Sequence, residues 1–199
     1  MDHPVKDIKS LMKKFAFGVP DDQRDAFNTY FLPTSSFVHP LIRVPSFDDI
    51  HIPYLPLPPI NSRHITRLLY RLRCMFVDIS SFNLESAVYD QRTATLTAHI
   101  SENVHPKFIP FHSPTIKSTL IFRLVQRTLD AQGQFLPPCD PEDPSAPGGR
   151  TRLYIVEHEQ LIQPSEILKV ALPIVGSGIW LMPEKVVKNG DTIAVLKTE

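Results

Sequence analysis

Two cysteines, one tryptophan and seven glycines are all that this 199-residue chain holds of three informative residue types, and neither sign of charge is in excess. Cys74 and Cys139 stand far apart in different contexts, at no spacing that marks a redox pair or a metal site. They read as reduced thiols, one on a helix and one in a loop. The 21 basic and 21 acidic residues cancel, removing the global field that nucleic acid or an acidic membrane would need, so nucleic acid is not an expected partner. There is no Gly-rich phosphate loop, and Gly176-Ser177-Gly178 lacks the spacing of a nucleophile elbow. None of His99, His105, His112 and His158 pairs with another at a ligand spacing such as His-x-x-x-His, so no metal and no cofactor is expected. Long hydrophobic runs are missing too. Val170 to Met182 is thirteen residues without a charge, broken by Pro173, Gly176 and Gly178 and bounded by Lys169 and Glu184, whereas a membrane span takes about twenty. Residues 1 to 20 carry Lys6, Lys9, Lys13 and Lys14 among their apolar residues, which is not the core of a signal peptide. A cytoplasmic protein is expected, with membrane contact at most peripheral.

What is present is a change of period along one domain's length of chain. Val5, Ile8, Leu11, Met12 and Phe15 recur at helical spacing behind Asp2, a candidate cap, and Pro4. Pro20-Asp21 opens a second helix with Ala26, Phe27, Tyr30 and Phe31 on its apolar face, closed by Pro33. Ser36-Phe37-Val38-His39 then alternates. Five prolines between Leu41 and Pro59 forbid helix and predict an extended loop across a pocket mouth. Asn61 caps a third helix to Phe76, with Ile65, Leu68, Leu69, Leu72 and Phe76 on one stripe and Arg63, Arg67, Arg71 and Arg73 opposite. That basic face reads as solvated, with an anionic lipid surface as its rival. Beyond it the period becomes two: Ser86–Asp90, Thr93–Ser101, Thr115–Arg127 and Thr151–Gln160 are predicted strands of an antiparallel sheet. Residues 136–150, rich in proline, glycine and acid, are predicted to be a disordered hairpin insertion. The order is that of an α+β domain.

Tyr30 to Arg43, Asn61-Ser62-Arg63, Ala87-Val88-Tyr89-Asp90, Phe108 to Pro114 and Leu161 occur in an order that resembles the nuclear transport factor two-like (SnoaL-like) superfamily, closest to its fungal SigF-like group. The resemblance covers residues 1–165, leaving 166–199 as a C-terminal apolar segment and polar tail. It implies a cone-shaped fold in which three N-terminal helices pack in a strongly curved antiparallel sheet around a cavity. It also implies a homodimer through the outer sheet face as one mode of association.

His39-Pro40 falls where the ketosteroid isomerases of that superfamily carry an aspartate base before a proline, and a histidine there could exchange a proton near neutral pH. The bland alternative is a histidine hydrogen-bonded in the cavity wall. Phe15 falls where those isomerases place the tyrosine that polarises the ketone, so the oxyanion donor is missing and the resemblance is one of scaffold. Phe15, Phe27, Tyr30, Phe37, Tyr54 and Phe122 are candidate ligand-binding aromatics, to be weighed against plain core. The expected function is binding of a small hydrophobic molecule such as a sterol, polyketide or lipid. The alternative is an isomerase or cyclase of a terpenoid or polyketide intermediate using His39 as acid and base.

Overall fold

The computed structural model describes residues 1–51, 58–109, 111–129 and 150–170. Tyr54, Cys139, Trp180, the expected insertion apart from Arg150, and nearly all of the Val170 to Met182 run lie outside the described residues.

Helix α1 (Pro4–Phe17) buries Pro4, Ile8, Leu11, Met12 and Phe15, the face its spacing predicts. Its start is held by Asp7 rather than by Asp2: the Asp7 carboxylate accepts the backbone N–H groups of Asp2 and His3 at 3.1 and 3.2 Å. Gly18 ends it by donating its N–H to the Lys14 carbonyl. A Cβ on Gly18 would stand 2.2 Å from that oxygen, so the close approach requires glycine. Helix α2 (Pro20–Tyr30) buries Gln23, Ala26 and Phe27 and runs straight into β1 (Phe31–His39). A short β2 (Ile42–Val44) folds back on β1 inside the stretch expected to be loop. In α3 (Ser62–Phe76) the cap is Asn61, whose side chain accepts the His64 N–H at 3.0 Å and donates to Asp49 at 2.8 Å. Strands β3 (Val77–Asp90), β4 (Thr95–Pro106), β5 (Thr115–Leu129) and β6 (Arg150–Ile162) follow, and residues 164–170 form a helix, α4.

Six strands make one sheet in the order β2-β1-β6-β5-β4-β3. β1 lies parallel to β6 while every other pair is antiparallel, so the sheet is mixed, correcting the antiparallel expectation. The expected run of three N-terminal helices is corrected as well: β1 and β2 separate α2 from α3, and among the described residues a fourth helix follows the sheet. The chain can run parallel here because more than a hundred residues separate β1 from β6, far more than a crossover needs.

Strand β3 starts nine residues before its predicted beginning. Its half-buried apolar residues are Val77, Ile79, Phe82, Leu84, Ala87 and Tyr89, spaced two, three, two, three, two. Bulges between Ile79 and Ser81 and between Leu84 and Ser86 insert the extra residues, which hides the period of two while keeping one face inward.

The centre of the domain is aromatic. Phe15 lies 4.7 Å from Phe27 and 4.8 Å from Tyr70, and Phe27 lies 4.7 Å from Phe31, ring centre to ring centre. Leu96, Ala98, Ile100, Leu120 and Phe122 bring the sheet against them. Each buried Leu, Ile or Phe among them contributes about 1.5–3 kcal/mol of transfer free energy.

Helix α3 sits differently from its predicted stripe. Its buried residues are Ser62, Thr66 and Tyr70, while Leu68, Leu72 and Phe76 are exposed. Local hydrogen bonds allow this polar inner face: Ser62 Oγ donates to the carbonyls of Pro33 and Phe47, both at 3.3 Å, and Thr66 Oγ1 donates to the Ser62 carbonyl at 3.0 Å. Of the apolar stripe, Ile65 and Leu69 pack partly against the core, and Leu69, Leu72 and Phe76 face a cavity.

Candidate functional site

That cavity has a volume of about 380 Å³ and lies between the second half of α3, the end of β1, and the inner face of β4, β5 and β6. Ile167 and Val170 of α4 complete its wall. Most of the lining is apolar, from Phe37, Leu69, Val77, Val104, Ile116 and Ile162. Leu41, Ile42, Leu72 and Phe76, all substantially exposed, rim its mouth. Five polar side chains share the wall: His39, Tyr70, Arg73, Glu102 and Gln160.

Strand alternation delivers two of these, Glu102 and Gln160. Leu96, Ala98, Ile100, Glu102 and Val104 all point inward from β4, so Glu102 occupies a position the pattern reserves for an apolar residue. Gln160 and His158 alternate inward on β6 in the same way. The last turn of α3 brings Arg73 across to Glu102, and the two form a hydrogen-bonded ion pair whose carboxylate side chain is only 4% exposed. Burial alone would lower the Arg73 pKa, but the Glu102 charge and hydrogen bond more than offset it, so the guanidinium stays charged. Each charge compensates the other, leaving this part of the wall neutral.

His39 is half-buried at the end of β1. Its Nδ1 accepts the backbone N–H of Leu41 at 3.2 Å. That bond occupies the Nδ1 lone pair and puts the proton of the neutral imidazole on Nε2. Burial, and then the Arg73 charge, lower its pKa below the ordinary histidine value, so the neutral ring is favoured further. Behind it stands His158, fully buried, stacked on Phe122 at 4.5 Å and 5.1 Å from Phe37. The Tyr70 hydroxyl meets His158 Nδ1 at 3.5 Å, and no hydrogen-bond partner reaches His158 Nε2 among the described residues. Burial, with His39 as a lesser cause, lowers the His158 pKa to about 3, and burial raises that of Tyr70.

Residues 1–136 match the family described as the SigF NTF2-like domain. The chain belongs to this family. No curated protein matches it. Among solved structures it is similar to a hypothetical protein with a ketosteroid isomerase-like fold from Catenulispora acidiphila, in complex with trimethylamine: identity is 10%, 81% of this chain and 88% of that one are covered, and the TM-score is 0.48. It is similar also to a putative SnoaL-like polyketide cyclase from Mesorhizobium loti, at 11% identity, covering 79% of this chain and 95% of that one with a TM-score of 0.44. An LEH-like epoxide hydrolase of M. tuberculosis shares 8% identity over 89% of this chain and 98% of its own, with a TM-score of 0.45.

In this SigF NTF2-like domain the candidate residues from the sequence divide into three groups. His39 and Phe37 line the cavity. Phe15, Phe27 and Phe122 do not: they are buried in the aromatic centre, where ring packing already satisfies them, which corrects the expectation that they form the ligand surface. Tyr30 is half-buried at the far end of α2, near Asp7 and Arg152, and is likewise no part of the wall. Tyr54 lies outside the described residues. The arginine stripe is corrected too, since Arg63 donates to the Phe31 carbonyl at 3.1 Å and Arg73 turns into the cavity, leaving Arg71 exposed.

Tyr70, Arg73, Glu102, His158 and Gln160 are the cavity and near-cavity polar groups that sequence reasoning missed. Glu102 carried a readable signal, an acid continuing the inward register of β4, one residue beyond the predicted end of that strand. Arg73 carried none, because an arginine among arginines on a helix looks solvated until its partner is known. Among the described residues no cluster of three or more histidine, cysteine or acidic side chains could hold a metal ion, and no helix is long and apolar enough to cross a membrane.

Proposed function

We propose that this SigF NTF2-like domain binds a small hydrophobic molecule, a sterol, polyketide or lipid being the classes of suitable size, in the cavity beneath α3. The observation that carries the reading is the orientation of α3. Ser62, Thr66 and Tyr70 are its buried residues, with Ile65 and Leu69 partly buried against the core, while Leu69, Leu72 and Phe76 are turned to the cavity and its mouth, an arrangement that costs apolar burial unless a ligand covers it. A cone-shaped enclosure belongs to the same proposal, supported by the bulges that bend β3 and by the bulge at Val156 of β6, opposite Arg123 and Leu124 of β5. So do a cytosolic setting and a homodimer through the outer sheet face.

The alternative, an isomerase or cyclase using His39 as acid and base, is less well supported. A base needs a free lone pair aimed at the substrate, and the Nδ1 lone pair of His39 is engaged by Leu41 N–H. Binding without proton transfer is the better fit to this geometry.

The test is titration with Nile red, an uncharged dye whose emission rises in apolar surroundings, against the full chain and Leu69→Trp, which fills the cavity from α3. Saturable binding to the wild type that drops at least about tenfold in the variant, with unchanged circular dichroism, is expected. Equal binding by both would overturn the proposal.

A further inference from the structure

We propose that the cavity selects an uncharged molecule bearing an oxygen acceptor, a ketone or alcohol in place of a carboxylic acid, and that His39 Nε2–H is the donor that holds that oxygen. This inference rests on the binding function proposed above and names its ligand class.

Three observations carry it. First, the hydrogen bond from Leu41 N–H to Nδ1 makes His39 a donor at Nε2 and nothing else in its neutral form. Second, the charges in the wall are already balanced. Arg73 is hydrogen-bonded to Glu102, so a ligand carboxylate would find its counter-charge taken, and would be desolvated beside the Glu102 carboxylate that opposes it. Third, the other groups facing His39 add no net positive charge: His158 is neutral, and Gln160 and Tyr70 are uncharged. A carbonyl or hydroxyl oxygen escapes both penalties. It needs only one donor and brings no ion into the cavity, while its hydrocarbon body meets Leu69, Val104 and Ile162. The depressed pKa of His39 fits the same role, because the ring stays neutral, and its Nε2 proton in place, through the neutral range.

Displacement of Nile red by a straight-chain methyl ketone, the alcohol and the carboxylate of equal carbon number, near neutral pH where the acid is ionised, decides the matter. The ketone and alcohol are expected to bind at least about tenfold tighter than the carboxylate. His39→Phe should weaken the ketone by about 2- to 10-fold, the usual worth of one neutral hydrogen bond, and His39→Gln, which restores an N–H donor, should recover part of that loss. A carboxylate that binds as well as the ketone, or a ketone affinity indifferent to His39→Phe, overturns this inference while leaving the binding cavity standing. Failure of the wild type to bind Nile red at all overturns the cavity reading, and the inference falls with it.

Discussion

Lowering the pH should destabilise this domain through one residue. His158 is fully buried, and burial, with a smaller contribution from His39, takes its pKa from 6.5 to about 3. Between those values the unfolded chain binds a proton that the folded chain refuses, so stability falls as pH falls. The contribution is whole above about pH 6.5 and is lost progressively toward pH 3. From the same two values, moving from about pH 7 to about pH 5 costs on the order of 2 kcal/mol, a shift of about 30-fold toward the unfolded state. That is a large share of the roughly 5–15 kcal/mol typical of a domain. The variant to compare is His158→Phe, which keeps a ring against Phe122 and Phe37 and removes the titration. Because it also strips Tyr70 of its contact, absolute stability is not the readout. Urea unfolding at the two pH values, on both proteins, gives the difference that matters. The wild type should lose about 2 kcal/mol more than the variant, and an identical pH dependence in the two would refute the assignment.

Arg73→Met should leave Glu102 buried without its partner. The loss expected is about 2–4 kcal/mol, below the 3–5 typical of a fully buried pair because the Arg73 side chain is 30% exposed, and thermal unfolding checks it. Adding Glu102→Leu on that background should recover most of the loss, and a double variant no stabler than the single would contradict the compensation described here. Ser62→Ala removes the hydroxyl that reaches the Pro33 and Phe47 carbonyls and should cost about 1–2 kcal/mol by chemical denaturation. Gly18→Ala should cost at least about 1 kcal/mol, since the new methyl would press on the Lys14 carbonyl; an unchanged unfolding midpoint would mean that the α1 terminus yields freely.

The amino-acid sequence by itself determined the elements whose signals are local. Pro4, Pro20 and Asn61 open α1, α2 and α3, and strict alternation marks β4 to β6, because caps, proline geometry and side-chain periodicity act within a few residues of chain. It also placed His39 and Phe37 on the first strand, and both reach the cavity. What only the tertiary structure decided depends on contacts between distant residues. Parallel pairing of β1 with β6 joins Phe37 to His158, and no local pattern announces it. Two bulges broke the period of β3 and concealed half its length. The face that α3 turns to the core was set by Ser62 finding partners at Pro33 of β1 and at Phe47, and by Tyr70 meeting His158 of β6, while Thr66 bonds back to the Ser62 carbonyl; contacts this distant shift the helix off its hydrophobic stripe. The site itself exists because Arg73 and Glu102, unremarkable where they stand in the chain, meet at one wall: an ion pair's energy depends on the distance between its members in space, and sequence separation says nothing about that.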